Sequence, residues 1–380
     1  MSFITAHNGL GFIGSGDLLK VFKIGKSTEM KTAFSWTQIN ADLIKKPDFE
    51  EEKALKNVEK IQILCLAHSN VSSPNNRRLL AVGTNEKQIH VIEYHVDEQG
   101  EFLKSEHVVT AIVPKAPTAL VFDREDAHII VGDRAGDVHR FSVTEGKTQE
   151  LAGAISMILD VGFTPSGKQL LMTDRDEKLR VMRYPETYVI DAYCLGHTEY
   201  VRTMAVRNEQ TVFTAGGDMK ILEWNITETP AKPRVTKDLS EYGKKGIRRI
   251  AHNSNYERLA VILEDSDRLI TVDTDPVPFH KREIKNLQVG QLLDVAVDGD
   301  NFLVLGRSSL AILSADNLKF EYVSIDEELK KSLQETPDAV NNLYKNVTHN
   351  NQAEYEKRKA EKFEKIDCKK KKLDSNVAEN

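Results

Sequence analysis

Residues 201–224 read VRTMAVRNEQTVFTAGGDMKILEW. Three short β-branched-rich runs stand in this stretch, VRTMAV from Val201, TVFTA from Thr211 and KILEW from Lys220, separated by Asn/Gly/Asp turns. Such runs predict consecutive antiparallel strands. The preceding stretch repeats the order: ILDVGFTP from Ile158, QLLMT from Gln169, KLRVMRY from Lys178, then an outer strand over Val189–Leu195 before Gly196-His197. The third run of each unit carries an aliphatic residue followed three positions later by a bulky or strand-ending one. That pair recurs seven times, as Leu19/Phe22, Ile89/Ile92, Val138/Phe141, Leu179/Met182, Ile221/Trp224, Ile270/Asp273 and Leu310/Leu313. The second members are 70, 49, 41, 42, 49 and 40 residues apart. A four-stranded unit recurring every 40 to 50 residues predicts an all-β fold, a seven-bladed WD-repeat β-propeller.

Seven blades occupy about 300 residues of a 380-residue chain, which leaves a C-terminal surplus. The reading places the propeller at residues 1–325 and a helical, partly disordered tail at 326–380. The long first interval is assigned to an outer strand, TAFSWTQI, followed by a charged insertion, KKPDFEEEKALKNVEK, read as a surface loop or short helix. After Phe320–Ser324 the period changes. Ser324-Ile-Asp-Glu327 has the form of a capping box, and Thr336-Pro337 reads as a second helix start. Residues 352–372 are rich in helix formers with only Tyr355, Phe363 and Ile366 as large apolar side chains, too polar for a helix that is stable alone.

A hydrophobic content of 40% with 29% charge excludes a disordered chain, and no apolar run reaches membrane-spanning length. The N-terminal stretch MSFITAHNGLGFIGSG lacks the basic and apolar regions of a signal peptide, so secretion is not expected. Cys65, Cys194 and Cys368 have neither disulfide-framework nor metal-ligand spacing, which fits a reducing compartment. The net charge of −6 speaks against a general nucleic-acid binder. Residues 351–380 nevertheless hold nine Lys/Arg against seven Asp/Glu, +2, leaving 43 against 51, −8, for the rest. Lys357, Arg358, Lys359, Lys362 and Lys365 are therefore the candidate RNA contacts, and Lys369–Lys372 could be a phosphate-contacting run or a nuclear signal.

Three motifs carry competing readings. His197, Thr214, Asp218 and Trp224 match the structural tetrad of a WD repeat. A buried hydrogen-bonded relay explains the His-Asp pair better than catalysis does. Gly9-Leu-Gly11-Phe-Ile-Gly14 has the spacing of a dinucleotide or S-adenosylmethionine loop but runs into another strand, LLKVFKI, instead of a helix. A strand–turn–strand is the expectation. Finally, the turns Gly132-Asp-Arg-Ala-Gly-Asp137 and Asp174-Arg-Asp-Glu-Lys178, the latter followed by Arg180, fall at equivalent places in adjacent blades. They should form one mixed-charge patch with Arg134 and Glu177, suited to orienting a charged partner.

At these residues the chain resembles a known family. IIVGDRAGDVHRFSV (Ile129–Val143), SMILDVGFTPSGKQLLMTDRDEKLRV (Ser156–Val181) and CLGHTEYV (Cys194–Val201) are similar to the WD-repeat non-catalytic subunit of the tRNA (guanine-N7)-methyltransferase. The resemblance is strong over residues 115–225 and extends to Asn342-Leu-Tyr-Lys345 and the Lys/Glu-rich segment after it. It implies a scaffold without chemistry or cofactor of its own, in a heterodimer with a Rossmann-type subunit. That subunit binds S-adenosylmethionine and methylates N7 of a guanosine in the tRNA variable loop. It implies partner contacts at Arg134, Glu177 and Arg180 with Asp176 and Lys178 beside them, and tRNA met mainly through the complex; the expected location is the nucleus, with the cytoplasm as a second compartment. At position 134 the family often has Lys; Arg keeps the charge and changes the geometry. The reading from another class is a WD-repeat adaptor of a ubiquitin-ligase or chromatin complex, which would copurify with cullin-linked factors instead of a methyltransferase. A stand-alone enzyme is the third, and it would bind S-adenosylmethionine by itself.

Overall fold

A computed structural model of the chain describes residues 2–25, 30–36, 44–45, 61–70, 77–228, 231–275, 280–284, 287–335 and 343–344. They form a seven-bladed β-propeller in which each blade is one antiparallel sheet. Blade 1 is β1 (Ser2–His7), β2 (Leu10–Ser15), β3 (Leu18–Lys23) and β4 (Lys31–Phe34). Blade 2 adds a two-residue strand, β5 (Ile44–Lys45), to β6 (Ile63–His68), β7 (Leu79–Thr84), β8 (Gln88–Val96) and β9 (Phe102–Ile112). Blade 3 is β10 (Pro117–Phe122), β11 (His128–Asp133), β12 (Asp137–Ser142) and β13 (Thr148–Gly153). Blade 4 is β14 (Ile158–Phe163), β15 (Gln169–Asp174), β16 (Lys178–Arg183) and β17 (Ile190–Leu195). Blade 5 is β18 (Val201–Val206), β19 (Thr211–Gly216), β20 (Lys220–Asn225) and β21 (Pro233–Asp238). Blade 6 is β22 (Ile247–Asn253), β23 (Arg258–Leu263), β24 (Leu269–Asp273) and β25 (His280–Ile284). Blade 7 is β26 (Leu292–Asp298), β27 (Asn301–Gly306), β28 (Leu310–Ser314) and β29 (Phe320–Val323), followed by helix α1 (Glu327–Glu335).

The recurring sequence pairs all fall on the third strands β3, β8, β12, β16, β20, β24 and β28. Residues three apart on a strand point to opposite faces, and these strands are covered on both faces by neighbouring blades. Every member of the seven pairs is buried except the half-buried Asp273. The core is accordingly a ring of apolar clusters between blades. Leu179, Val181, Met204, Leu222 and Trp224 fill the gap between blades 4 and 5, and Ile130, Val138, Leu170, Met172 and Met182 the gap between blades 3 and 4.

The ring closes without exchanging a strand. Blade 1 comes entirely from the N-terminus and blade 7 entirely from residues 292–323. Ile4, Ile13 and Phe22 pack against Leu303, Leu305 and Leu310, with Leu329 and Leu333 of α1 in the same cluster. The Asp294 Oδ2 of blade 7 accepts the Ile4 N–H at 2.9 Å, and blades 4 and 5 repeat the device, with Asp160 Oδ2 accepting from Met204 N at 3.0 Å. Arg249 lies 3.5 Å from Asp160 and 3.7 Å from Asp294. Helix α1 clasps the joint: the buried Lys20 of β3 pairs with Asp326 at 3.1 Å and Glu328 at 2.8 Å, and Ser15 Oγ meets Ser332 Oγ at 2.9 Å.

Two expectations change here. Asp326, not Ser324, caps α1: its Oδ1 accepts the Leu329 N–H at 2.8 Å, so the helix begins later and Leu329 and Leu333, four apart, both face the core. The helix therefore belongs with the propeller, and the compact unit runs Met1–Leu343, past the expected boundary at 325. The second unit is Tyr344–Asn380. Its candidate cations, Lys357, Arg358, Lys359, Lys362, Lys365 and Lys369–Lys372, lie outside the described residues, as do residues 46–60 of the charged insertion and Thr336-Pro337.

The Gly9–Gly14 motif is a hairpin. Gly9 turns with φ +78°, and a Cβ at Gly11 would stand 2.1 Å from the Phe22 ring, so packing rather than a phosphate explains these letters. Strand β3 follows directly, with no helix.

Two buried histidines set an acid limit on this fold. Burial lowers His90 to about 3 and His7 to about 4, from 6.5, with His107 beside the first and His68 and Arg78 beside the second adding to the effect. Their folded pKa values are depressed, so the unfolded chain takes up protons first as pH falls below 6.5, and stability is lost on acidification. Between pH 7 and pH 4.5 we expect about 2 kcal/mol lost per histidine. Urea midpoints at the two pH values would measure it, and a His90→Gln variant should show a clearly smaller drop.

Candidate functional site

The WD relay of blade 5 is complete. His197 Nδ1 donates to Asp218 Oδ2 at 2.9 Å, its Nε2 accepts from the Thr214 hydroxyl at 2.8 Å, and the Trp224 indole N–H donates to Thr214 Oγ1 at 2.7 Å. Burial opposes the Asp218 charge, but the His197 bond and the Thr198 and Lys220 backbone N–H groups hold its pKa below the usual value. His197, Thr214 and Trp224 are buried, and every ring or hydroxyl atom is spoken for, so nothing is presented to a substrate. This constellation fixes a blade.

The two charged turns are built alike. At the end of β11, Asp133 Oδ1 accepts the N–H groups of Ala135, Gly136 and Asp137 at 2.8–3.0 Å. At the end of β15, Asp174 Oδ1 accepts from Asp176 at 2.9 Å and Lys178 at 3.1 Å. Aspartate is the residue that can tie a tight turn through its own side chain. Gly136 occupies a left-handed position, φ +107°, where a Cβ would meet the Ala154 carbonyl at 2.3 Å. Glu177 holds the equivalent left-handed place, φ 72°. Lys87 and Met219 do the same in blades 2 and 5, at φ 61° each, so the conformation belongs to the turn and does not single out Glu177.

Between the turns runs the connector from β13 to β14. Ala154 N donates to the Gly136 carbonyl at 2.8 Å and Arg175 N to the Met157 carbonyl at 3.0 Å, so one four-residue segment ties both turns together. At its apex Ile155 is fully exposed. The charged side chains diverge from there. Arg134 is exposed and lines the mouth of the central channel, a cavity of about 270 Å³, together with Met157 and Leu343. Arg180 points the other way, into the groove between blades 3 and 4, where Nη1 donates to the Gly153 carbonyl at 2.9 Å and the guanidinium stands 5.4 Å from the centre of the Tyr193 ring. Its buried Nε has no acceptor. Lys178 lies 3.7 Å from Asp174 and 3.9 Å from Asp176. The two arginines thus face opposite sides of the connector.

Sequence reasoning found the charges and missed the apolar half. Beside Arg180, the outer strand β17 exposes 41% of Tyr193 and 60% of Leu195 while burying Ala192 and Cys194. An outer strand with one packed face leaves its other face to solvent, but the consecutive apolar letters Tyr193-Cys194-Leu195 do not show in the sequence which side is which. Tyr193 pairs with Arg180 and Leu195 with Lys178 across β16 and β17, so these apolar and charged side chains share one face, and Ile155 stands exposed on the neighbouring connector. Large exposed apolar residues rimmed by charge mark interaction surfaces.

Comparison with known proteins places the chain. The family model for the tRNA methyltransferase TRM82 WD40 domain matches residues 23–150 and 142–337. The tRNA (guanine-N(7)-)-methyltransferase non-catalytic subunit of Caenorhabditis elegans is 53% identical over 377 residues, 99% of this chain and 97% of the relative. The subunit called wuho in Drosophila melanogaster is 32% identical over 42% of this chain and 37% of its own length, and TRM82 of Candida glabrata 35% over 30% of each. Among solved structures, a chain of a Chaetomium thermophilum Polycomb repressive complex 2 superposes with a TM-score of 0.57 at 14% identity, covering 68% of this chain and 70% of that one. At that identity the likeness is of fold alone.

Proposed function

We infer the mechanism from one premise: this chain belongs to the family of non-catalytic subunits of the tRNA (guanine-N7)-methyltransferase. It does no chemistry itself and serves a catalytic partner. We propose that the partner is a Rossmann-type subunit carrying S-adenosylmethionine, and that it docks on the corner shared by blades 3 and 4. The observation that carries this reading is the face on which exposed Tyr193 and Leu195 pair with Arg180 and Lys178, beside the Asp176–Glu177 turn; Arg134 would meet the partner from the channel side of the connector and Ile155 from its apex. The apolar side chains supply area to desolvate, and the charges set orientation and exclude wrong partners. Turns tied by Asp133 and Asp174 to a seven-bladed ring are pre-organised, so little ordering entropy is lost on docking.

The tail completes the proposal. Residues 1–350 carry −8 and repel phosphates, whereas residues 351–380 carry +2. We assign tRNA contact to Lys357, Arg358, Lys359, Lys362 and Lys365, and nuclear delivery to Lys369–Lys372, with a cytoplasmic pool allowed. Reconstitution tests both parts. Adding this chain to the catalytic subunit should raise 7-methylguanosine formation in tRNA at least about tenfold, the gain of a coupling near 1.4 kcal/mol. A version lacking residues 351–380 should copurify with the partner yet show a higher KM for tRNA. Its salt slope should be shallower by about 1 for each phosphate that the tail no longer neutralises. No stimulation by the full chain would remove the scaffold role. Unchanged salt dependence in the truncated complex would leave the tail a localisation signal.

A further inference from the structure

Beside Arg134 lies a cluster that the docking corner does not use. Asp133, Asp137 and His139 bring one ligand atom each to within 4.8 Å of one another. Asp137 and His139 alternate on β12 and so share a face, and Asp133 reaches the same point from the end of β11. Asp133 is fully buried and His139 is 5% exposed. The Asp133 carboxylate cannot rotate away, because its Oδ1 already accepts three backbone N–H groups of the turn. Its Oδ2 is thereby aimed at His139 Nε2, 3.5 Å off. Neither of these two buried atoms makes a well-directed hydrogen bond, and they meet each other only as this long ion pair.

That separation is informative. An N–H···O bond is about 2.9 Å long, so the 3.5 Å between these two held groups is well past one. Two ligands of one tetrahedral ion, each about 2.0–2.1 Å from it, stand about 3.4 Å apart. The Asp133–His139 gap fits a shared ion better than a hydrogen bond. The fixed Asp133 carboxylate is also what an outer shell of donors does for a metal ligand.

We propose that Asp133, Asp137 and His139 form a structural site for a zinc-type divalent transition ion, with a solvent molecule in the fourth position. One imidazole and two carboxylates suit that class. Calcium or magnesium would demand about six oxygens, which this buried pocket does not offer. The ion would cross-link the β11–β12 hairpin at its turn and stiffen the segment that presents Arg134.

The test uses the full-length chain alone, stripped with a chelator and titrated with zinc by calorimetry and thermal melting. Cobalt substitution reports the geometry through the intense visible bands of a tetrahedral ion. We expect one equivalent of zinc, and a Tm rise of about 4 °C at zinc a hundredfold above its Kd. His139→Gln and Asp137→Asn should each weaken binding more than about tenfold. Asp133 is left intact because its Oδ1 ties the turn. Absence of saturable one-equivalent binding overturns the proposal. So does an unchanged Kd in both variants, which would put the ion elsewhere. If His139→Gln lowers the melting temperature of the metal-free chain, the half-buried Asp137 decides: wild-type zinc affinity in Asp137→Asn rejects the site.

Discussion

Trp224→Ala is expected to destabilise the propeller by about 3–5 kcal/mol. The indole is completely buried between blades 4 and 5, against Leu171, Leu179, Val181, Met204 and Val212. Gly196 lies beneath it, where a Cβ would come within 3.0 Å of the ring. That wall is backbone and cannot collapse into the space an alanine leaves, so the cavity cost adds to the transfer cost. The Thr214 hydroxyl also loses the donor 2.7 Å away, in a site that water does not reach. Trp224→Phe should be milder, because it keeps most of the ring and removes only the donor. For a unit of this size the alanine change corresponds to a fall in Tm of about 4–7 °C, readable by calorimetry. A melt indistinguishable from wild type would show that the His197–Thr214–Trp224 relay contributes nothing to blade 5.

The same burial explains what could be read in advance. Third strands are enclosed on both faces, so their apolar residues recur at i and i+3 and announce the blades. Outer strands have one face in water: β13 and β21 consist mainly of partly or fully exposed residues, and their letters look like any polar segment. Strand β5 is two residues long and pairs parallel to β9, a contact with no local sequence signature. Closure of the ring was equally silent, because it depends on Asp294 meeting the Ile4 backbone and on Lys20 meeting α1, pairs about 290 to 310 residues apart in the chain. The helix cap was misread because Ser324 and Asp326 are both good caps; burial of Leu329 and Leu333 decides between them. At the proposed docking corner, charge was legible and shape was not. Ile155, Tyr193 and Leu195 look like core residues until the structure shows them facing solvent.

Arg180→Glu is expected to abolish the complex with the catalytic subunit while leaving the propeller folded. Arg180 is half-buried on β16, a strand whose core-facing residues are Leu179, Val181 and Met182. Its own contacts, one carbonyl bond to Gly153 and the Tyr193 ring, are of the kind worth about 1 kcal/mol each at a partly solvated site. Folding should tolerate their removal, with Tm within about 2 °C of wild type. Binding should not. A glutamate there puts a negative charge beside Glu177 at the centre of a surface that docking would desolvate. It repels whatever anion complements the guanidinium and leaves that group buried and unpaired. Losses of this kind amount to about 2–5 kcal/mol, or 30- to 5,000-fold in Kd. Glu177→Lys attacks the same corner from the turn and should act in the same direction. Leu195→Ala, which touches no charge, should weaken binding mainly through a faster off-rate, whereas a rim charge such as Lys178 should act on the on-rate and its salt dependence. Surface-based kinetics with the purified catalytic subunit would separate these effects. Normal complex yield from a chain carrying both Glu177→Lys and Arg180→Glu would move the partner off the blade 3–4 corner altogether.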